Sequence, residues 1–104
     1  MANVWVYKDS DDEYRVYPPV VVLRKNDDLE IGNTTDEDLE WSTSQDALSP
    51  PSGKVGSGKK EKAGKARDQK KKYSAYSYTV TMTLTIGTKK KAKGNSDPVI
   101  IIEM

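Results

Sequence analysis

Tyr76-Ser77-Tyr78-Thr79-Val80-Thr81-Met82-Thr83-Leu84-Thr85-Ile86 is the stretch that decides the fold. Tyr76, Tyr78, Val80, Met82, Leu84 and Ile86 hold alternate positions, and Ser77, Thr79, Thr81, Thr83 and Thr85 fill the gaps. A strand points successive side chains to opposite faces, so this spacing predicts one apolar and one hydroxyl-bearing face. Downstream, Gly87 to Ser96 reads as a basic turn region, and Asp97-Pro98 opens a last strand, Val99 to Ile102. That strand is apolar on both faces, which predicts cover on both sides or pairing between layers.

Upstream, Val4-Trp5-Val6-Tyr7 is a short β-prone run, Lys8 to Glu13 is acidic and turn-like, and Arg15-Val16-Tyr17 is extended. Pro18-Pro19 then places a sheet edge, a bulge or a strand crossover, because proline donates no ladder hydrogen bond. Val20 to Leu23 and Leu29-Glu30-Ile31 read as strands joined by a turn at Asn26-Asp27-Asp28. Gly32 to Asp38 reads as loop and Leu39-Glu40-Trp41 as a short strand. From Ser42 to Lys72 hydrophobic periodicity is lost, and Ser49-Pro50-Pro51-Ser52-Gly53 is a breaker cluster. Residues 49–73 are therefore expected to form a flexible basic insertion. Six or seven strands without an amphipathic helix predict an all-β, antiparallel Greek-key β-sandwich, with residues 1–104 as a single domain.

Composition excludes much chemistry. The 104 residues contain no His and no Cys. There is no imidazole base or ligand, no thiolate nucleophile and no sulfur-ligated metal centre. The formal charge of +1 arises from 17 basic and 16 acidic side chains that are segregated along the chain. Acidic residues dominate through residue 53, and basic residues dominate from 54 to 72. Such a chain can attract polyanions at one end, or fold its basic segment over its own acidic surface. No run reaches the roughly 18 apolar residues of a membrane span, and the N-terminal residues lack a secretory pattern, so the expectation is a cytoplasmic protein.

Pro18 is followed by Val21 and Leu23, then Asn26-Asp27, then Leu29, Ile31 and Asn33. Towards the C-terminus, Tyr76 and Tyr78 are followed by Val80, and Pro98, Ile100 and Ile102 form a closing strand. Together these two blocks resemble the cupredoxin (blue-copper, plastocyanin-like) family. The resemblance implies a cupredoxin-like sandwich with the basic stretch as a loop insertion. It also implies that Val80 stands where the family carries its copper cysteine. A blue-copper site needs two His and one Cys, so the resemblance implies a fold without the metal and without electron transfer. Met82 is expected in the core.

Gly53-Lys54-Val55-Gly56-Ser57-Gly58-Lys59-Lys60 nearly matches a phosphate-binding loop. Lys60 replaces the required hydroxyl and neither the strand nor the helix of that motif is evident, so a flexible linker is expected. Asp9, Asp11, Asp12 and Glu13, and likewise Asp36, Glu37, Asp38 and Glu40, are acidic clusters without calcium-loop spacing, expected as solvated loop carboxylates. Asn33-Thr34-Thr35 is a formal glycosylation sequon. No nucleophile, base and metal group form a catalytic pattern, so no enzyme activity and no cofactor are expected. The candidate anion-binding residues are Lys59, Lys60, Lys62, Lys65, Arg67, Lys70, Lys71 and Lys72, with Lys89, Lys90, Lys91 and Lys93 in a second loop at the same end of the sandwich. Tyr73, Tyr76 and Tyr78 adjoin the first run and could stack bases, but Tyr76 and Tyr78 share the apolar face, so core packing is the expected role for these two. The expected function is a metal-free interaction module with a protein partner or a second copy. Polyanion or nucleic-acid binding through the lysines is the alternative.

Overall fold

The structure is a computed structural model that describes residues 2–84 and 97–104, together with the backbone of 89–92. Among the described residues it is all-β, with no helix and twelve strands. In chain order these are β1 (Ala2–Lys8), β2 (Tyr14–Tyr17), β3 (Val20–Arg24), β4 (Asp28–Asn33), β5 (Asp38–Ser42) and β6 (Leu48–Ser49). There follow β7 (Ser52–Val55), β8 (Lys60–Ala66), β9 (Tyr73–Ser77), β10 (Thr79–Thr83), β11 (Lys89–Ala92) and β12 (Val99–Glu103). The first sheet has the order β2-β1-β4-β8-β6. The second and third are β11-β10-β5-β7 and β3-β12-β9. Only Tyr78 separates β9 from β10, so these two sheets share one continuous run of chain. The buried side chains of all three sheets form a single core cluster, giving a sandwich-like fold.

The alternating stretch behaves as its spacing predicts. Tyr78, Val80 and Met82 are buried, Tyr76 packs against the core, and Thr79, Thr81 and Thr83 face outward. The predicted continuation through Thr85 and Ile86 lies outside the described residues. In the turn before β4, Asn26 takes a positive φ of 67°, which Asn accepts better than most residues.

The expectation of a purely antiparallel sandwich is corrected, because the sheets are mixed. β1 runs parallel to β4, with Val4 beside Ile31, and β12 runs parallel to β3, with Ile100 beside Val21 and Ile102 beside Leu23. The cause is at Pro18-Pro19. β2 ends in the first sheet and β3 begins in the third, so the chain changes sheets there. The turn at Asn26-Asp27 then returns it as β4, alongside β1 in the same direction. Val99 and Ile101 are half-buried rather than covered, and they lie beside Val20 and Val22 of the edge strand β3, which are exposed.

The basic insertion is also corrected. Within 49–73 the chain forms β7, β8 and the end of β6. β7 pairs with β5, and β8 pairs with both β4 and β6. Val55, Ala63 and Ala66 are buried, whereas the lysines of β8 face water. Periodicity failed to show β8 because a β-bulge interrupts it. Asp28 pairs with Lys65 and Glu30 with Lys62, so Leu29 opposes both Ala63 and Gly64. The near phosphate-binding loop is the connection from β7 in the second sheet to β8 in the first, with Lys54 in one strand and Lys60 in the other.

Gly64 is where β6 and Pro50 approach β8. A Cβ at this position would lie 2.7 Å from the Pro50 carbonyl oxygen and 3.2 Å from Leu48 Cβ. The carbonyl is backbone and cannot swing aside. Gly64→Ala is expected to cost about 1–3 kcal/mol, lowering Tm by several degrees. Gly56→Ala meets first the flexible Lys59 side chain and should cost less. Equal melting temperatures for both variants would refute this packing.

Candidate binding surfaces

β1 must choose which parity to bury. Its sequence Ala-Asn-Val-Trp-Val-Tyr-Lys sets valines and aromatics on opposite faces. Val4 and Val6 fill the core and are fully buried, so Trp5 and Tyr7 face outward. β2 repeats the choice, with Tyr14 and Val16 inside and Arg15 and Tyr17 outside. Trp5 lies opposite Tyr17 on β2 and Gly32 on β4, and Gly32 lies opposite Lys60 on β8. The outer face of the first sheet thus carries the cross-strand row Tyr17–Trp5–Gly32–Lys60. Trp5 is 40% exposed and Tyr17 62%. The indole lies over Gly32 so closely that a Cβ there would collide with ring atoms Cε3 and Cζ3. The Lys60 ammonium sits 5.5 Å from the ring centroid and 3.0 Å from the Glu30 carboxylate. Sequence reasoning missed this row. The available signal was the aromatic parity of β1, which opposes the valine parity.

The sequence-predicted cations are divided among several settings. Lys60 pairs with Glu30, and Lys62 and Lys65 pair with Asp28. Lys54 pairs with Glu40. Part of the basic segment therefore lies over acidic strands of the N-terminal half, one of the two arrangements that the charge segregation allowed. Lys59 sits in the β7–β8 turn, where its carbonyl accepts the Asn33 N–H. Arg67 donates to the Gln45 carbonyl. Lys72 Nζ lies 5.5 Å from the Tyr73 ring centroid. Lys89, Lys90 and Lys91 are on β11, paired with Thr83, Met82 and Thr81, and Lys93 lies outside the described residues.

This placement corrects the expectation of two lysine loops at one end. Lys70–Lys72 precede the start of β9, whereas Lys89 pairs with the end of β10. Two strands of different sheets, β9 and β10, lie between them along the chain, and Lys89–Lys91 form a strand of the second sheet rather than a loop.

Lys70 and Lys71 border an open groove of about 630 Å³, with Asp46, Arg67, Asp68, Gln69, Tyr73 and Tyr76 also in its lining. Gln69 ties this groove together, donating to the carbonyls of Asp46 and Arg67 and accepting from the Tyr76 hydroxyl. Among the described residues no ion pair engages Lys70 or Lys71. Tyr78 is buried and the half-buried Tyr76 packs against the core, as their shared apolar face predicts, whereas Tyr73 is exposed.

Val80 is fully buried in the middle of β10, with Trp41 on one side and Ala92 on the other. Met82 is likewise fully buried. Among the described residues no group of His, Cys, Asp and Glu side chains is arranged to hold a metal ion, and no helix is long and apolar enough to cross a membrane. The acidic loops are used for local structure. Asp9 Oδ1 accepts the Asp11 and Glu13 amides, and its other oxygen holds Arg15 at 2.9 Å. Those contacts, led by Arg15, keep the Asp9 carboxyl below its ordinary range. The Lys65 hydrogen bond does the same for Asp28, with the charges of Lys65 and Lys62 adding. The sequon asparagine is committed internally. Asn33 is 2% exposed, donates to the Glu37 and Val55 carbonyls, and accepts from the Thr35 amide and hydroxyl.

Comparison of the sequence with protein-family models and with curated proteins finds no match to either.

Burial pushes the Tyr78 phenol well above its ordinary range. The folded chain therefore keeps this proton where the unfolded chain has released it. The resulting stability is complete below about pH 10 and declines as pH rises beyond it. Tyr78→Phe removes the ionisable group and leaves the ring, so the variant should unfold at higher pH in an alkaline titration followed by near-UV circular dichroism. Coincident midpoints would exclude Tyr78 as the responsible group.

Proposed function

We propose that this chain is a metal-free, cupredoxin-like binding module without redox or catalytic activity, which acts by recognising a partner at its surface. Val80 carries this reading: a fully buried aliphatic side chain stands where the family resemblance places a copper thiolate. The meeting of the two resembling blocks supports the fold assignment. Val21 and Leu23 of the first lie directly beside Ile100 and Ile102 of the second. The copper half of the proposal is tested by titrating Cu²⁺ into ¹⁵N-labelled protein. The expected result is no saturable shift at Trp41, Val80 or Met82 and no intense visible absorption. A tight stoichiometric complex at these residues would refute it.

A second reading, polyanion binding, is favoured by Lys70 and Lys71, which have no carboxylate partner among the described residues and flank an open groove beside Tyr73. Electrostatic binding is strongest in low salt. Heparin or an oligonucleotide should then bind at about 50 mM salt, and replacing both lysines by Gln should flatten the salt dependence by roughly two units of slope. No binding in that buffer removes this reading.

A further inference from the structure

We propose that the outer face of the first sheet, centred on Trp5 and Tyr17, is a stacking platform for a neutral chain of β-linked pyranose sugars. The proposal rests on the binding-module function and names its ligand class. Trp41 and Tyr78 are buried in the core, 3% and 2% exposed, while Trp5 and Tyr17 remain partly in water on one face of the first sheet. Trp5 has a seat prepared for it. Only glycine at position 32 lets the indole lie against β4, and any Cβ there would lift the ring. Flattened in this way, the ring keeps part of its surface in water, with the Lys60 ammonium 5.5 Å from its centroid.

Trp5 and Tyr17 are direct cross-strand neighbours. Their Cβ atoms are therefore about 5 Å apart, and the indole extends from there over Gly32 on β4, so the two side chains lay an aromatic strip across β2, β1 and β4 that more than one sugar of a chain can meet. A pyranose with equatorial hydroxyls presents a face of weakly positive C–H groups, which suits an electron-rich aromatic face. Its rim both donates and accepts hydrogen bonds. The platform rim supplies both complements: the Lys60 ammonium and the Glu30 carboxylate are 3.0 Å apart, and Asn3 lies beside Glu30 in register.

A nucleobase could stack on the same rings, but its phosphates would meet an unfavourable rim. Lys60, Lys62 and Lys65 are each paired with Asp28 or Glu30. A phosphate would have to displace a carboxylate that remains nearby and repels it. A neutral sugar incurs no such repulsion.

The test is a titration of ¹⁵N-labelled protein with cellohexaose, chitohexaose and xylohexaose to millimolar concentration, and with a poly-thymidine oligonucleotide. At least one hexasaccharide should give saturable shifts at the Trp5 indole N–H, Tyr17 and Gly32, while the Trp41 indole stays in place. Trp5→Ala should weaken that binding roughly tenfold or more, the scale set by losing one stacked ring. Glu103→Gln, on β12 of the third sheet, should leave it unchanged. Circular dichroism of each variant verifies the fold. The platform is overturned if none of the sugars moves Trp5, if folded Trp5→Ala binds equally well, or if the oligonucleotide saturates Trp5 more tightly than every sugar. Failure here with a silent copper titration removes the platform alone. A tight copper complex removes the binding-module function, whatever the sugars do.

Discussion

A strand turns successive side chains to opposite sides, so one in which both parities are apolar cannot bury them all against one partner layer. The sandwich depends on how that conflict is settled in each strand. In β1 the valines win the core and the aromatics are displaced outward. In β12 Ile100 and Ile102 are buried, and Val99 and Ile101 are left half-covered. In β10 there is no conflict, because threonines occupy the outer parity. The core therefore holds mostly aliphatic side chains at the first sheet, and Trp41, Tyr78 and Met82 face them from the other side. Exposed aromatics are the consequence of a small interior in which compact β-branched side chains pack closely.

Glycine and proline make this arrangement possible at particular places. Pro18-Pro19 moves the chain between sheets without reversing it, and this is what gives β4 its direction beside β1. Gly64 and the neighbouring bulge let β6 and Pro50 close over β8. Gly53 lies opposite Trp41 and leaves room for the buried indole, just as Gly32 leaves room for the exposed one. Each tryptophan therefore rests on a glycine of the adjacent strand. The difference between them is only the parity at which each falls.

These facts decide what was legible in the sequence. β10 and the β3–β4 turn could be read because apolar and polar residues alternate cleanly there and Asn26 marks the reversal. β8 could not, since its buried residues are two alanines and a glycine among lysines, and the bulge shifts the parity midway. Small side chains bury little area each and leave little hydrophobic signal. Parallel pairing was hidden for a different reason. A local pattern marks where the chain turns, but it does not say whether a proline break reverses the strand or transfers it to another layer. The aromatic row was present in the letters of β1 and β2. Only the choice of core parity, a tertiary decision, shows that those rings face water.

The charge distribution follows from the same topology. β8 crosses the sandwich beside β4, which places the lysines of the basic segment against Asp28 and Glu30. Exposed pairs of this kind contribute little stability individually. Their larger effect is on recognition, because a cation held by a carboxylate is a weak attractor for phosphate yet still donates a hydrogen bond, and its partner still accepts one. Where β4 and β8 meet, the surface is therefore polar without being strongly charged. Beyond Ala66 the chain leaves β4, and Lys70 and Lys71 pass out of reach of those carboxylates. The molecule consequently presents two chemically different surfaces: a nearly neutral aromatic face on the first sheet and, beside β9, a groove of mixed charge in which Lys70 and Lys71 have no carboxylate partner among the described residues. The register of one strand pair separates them.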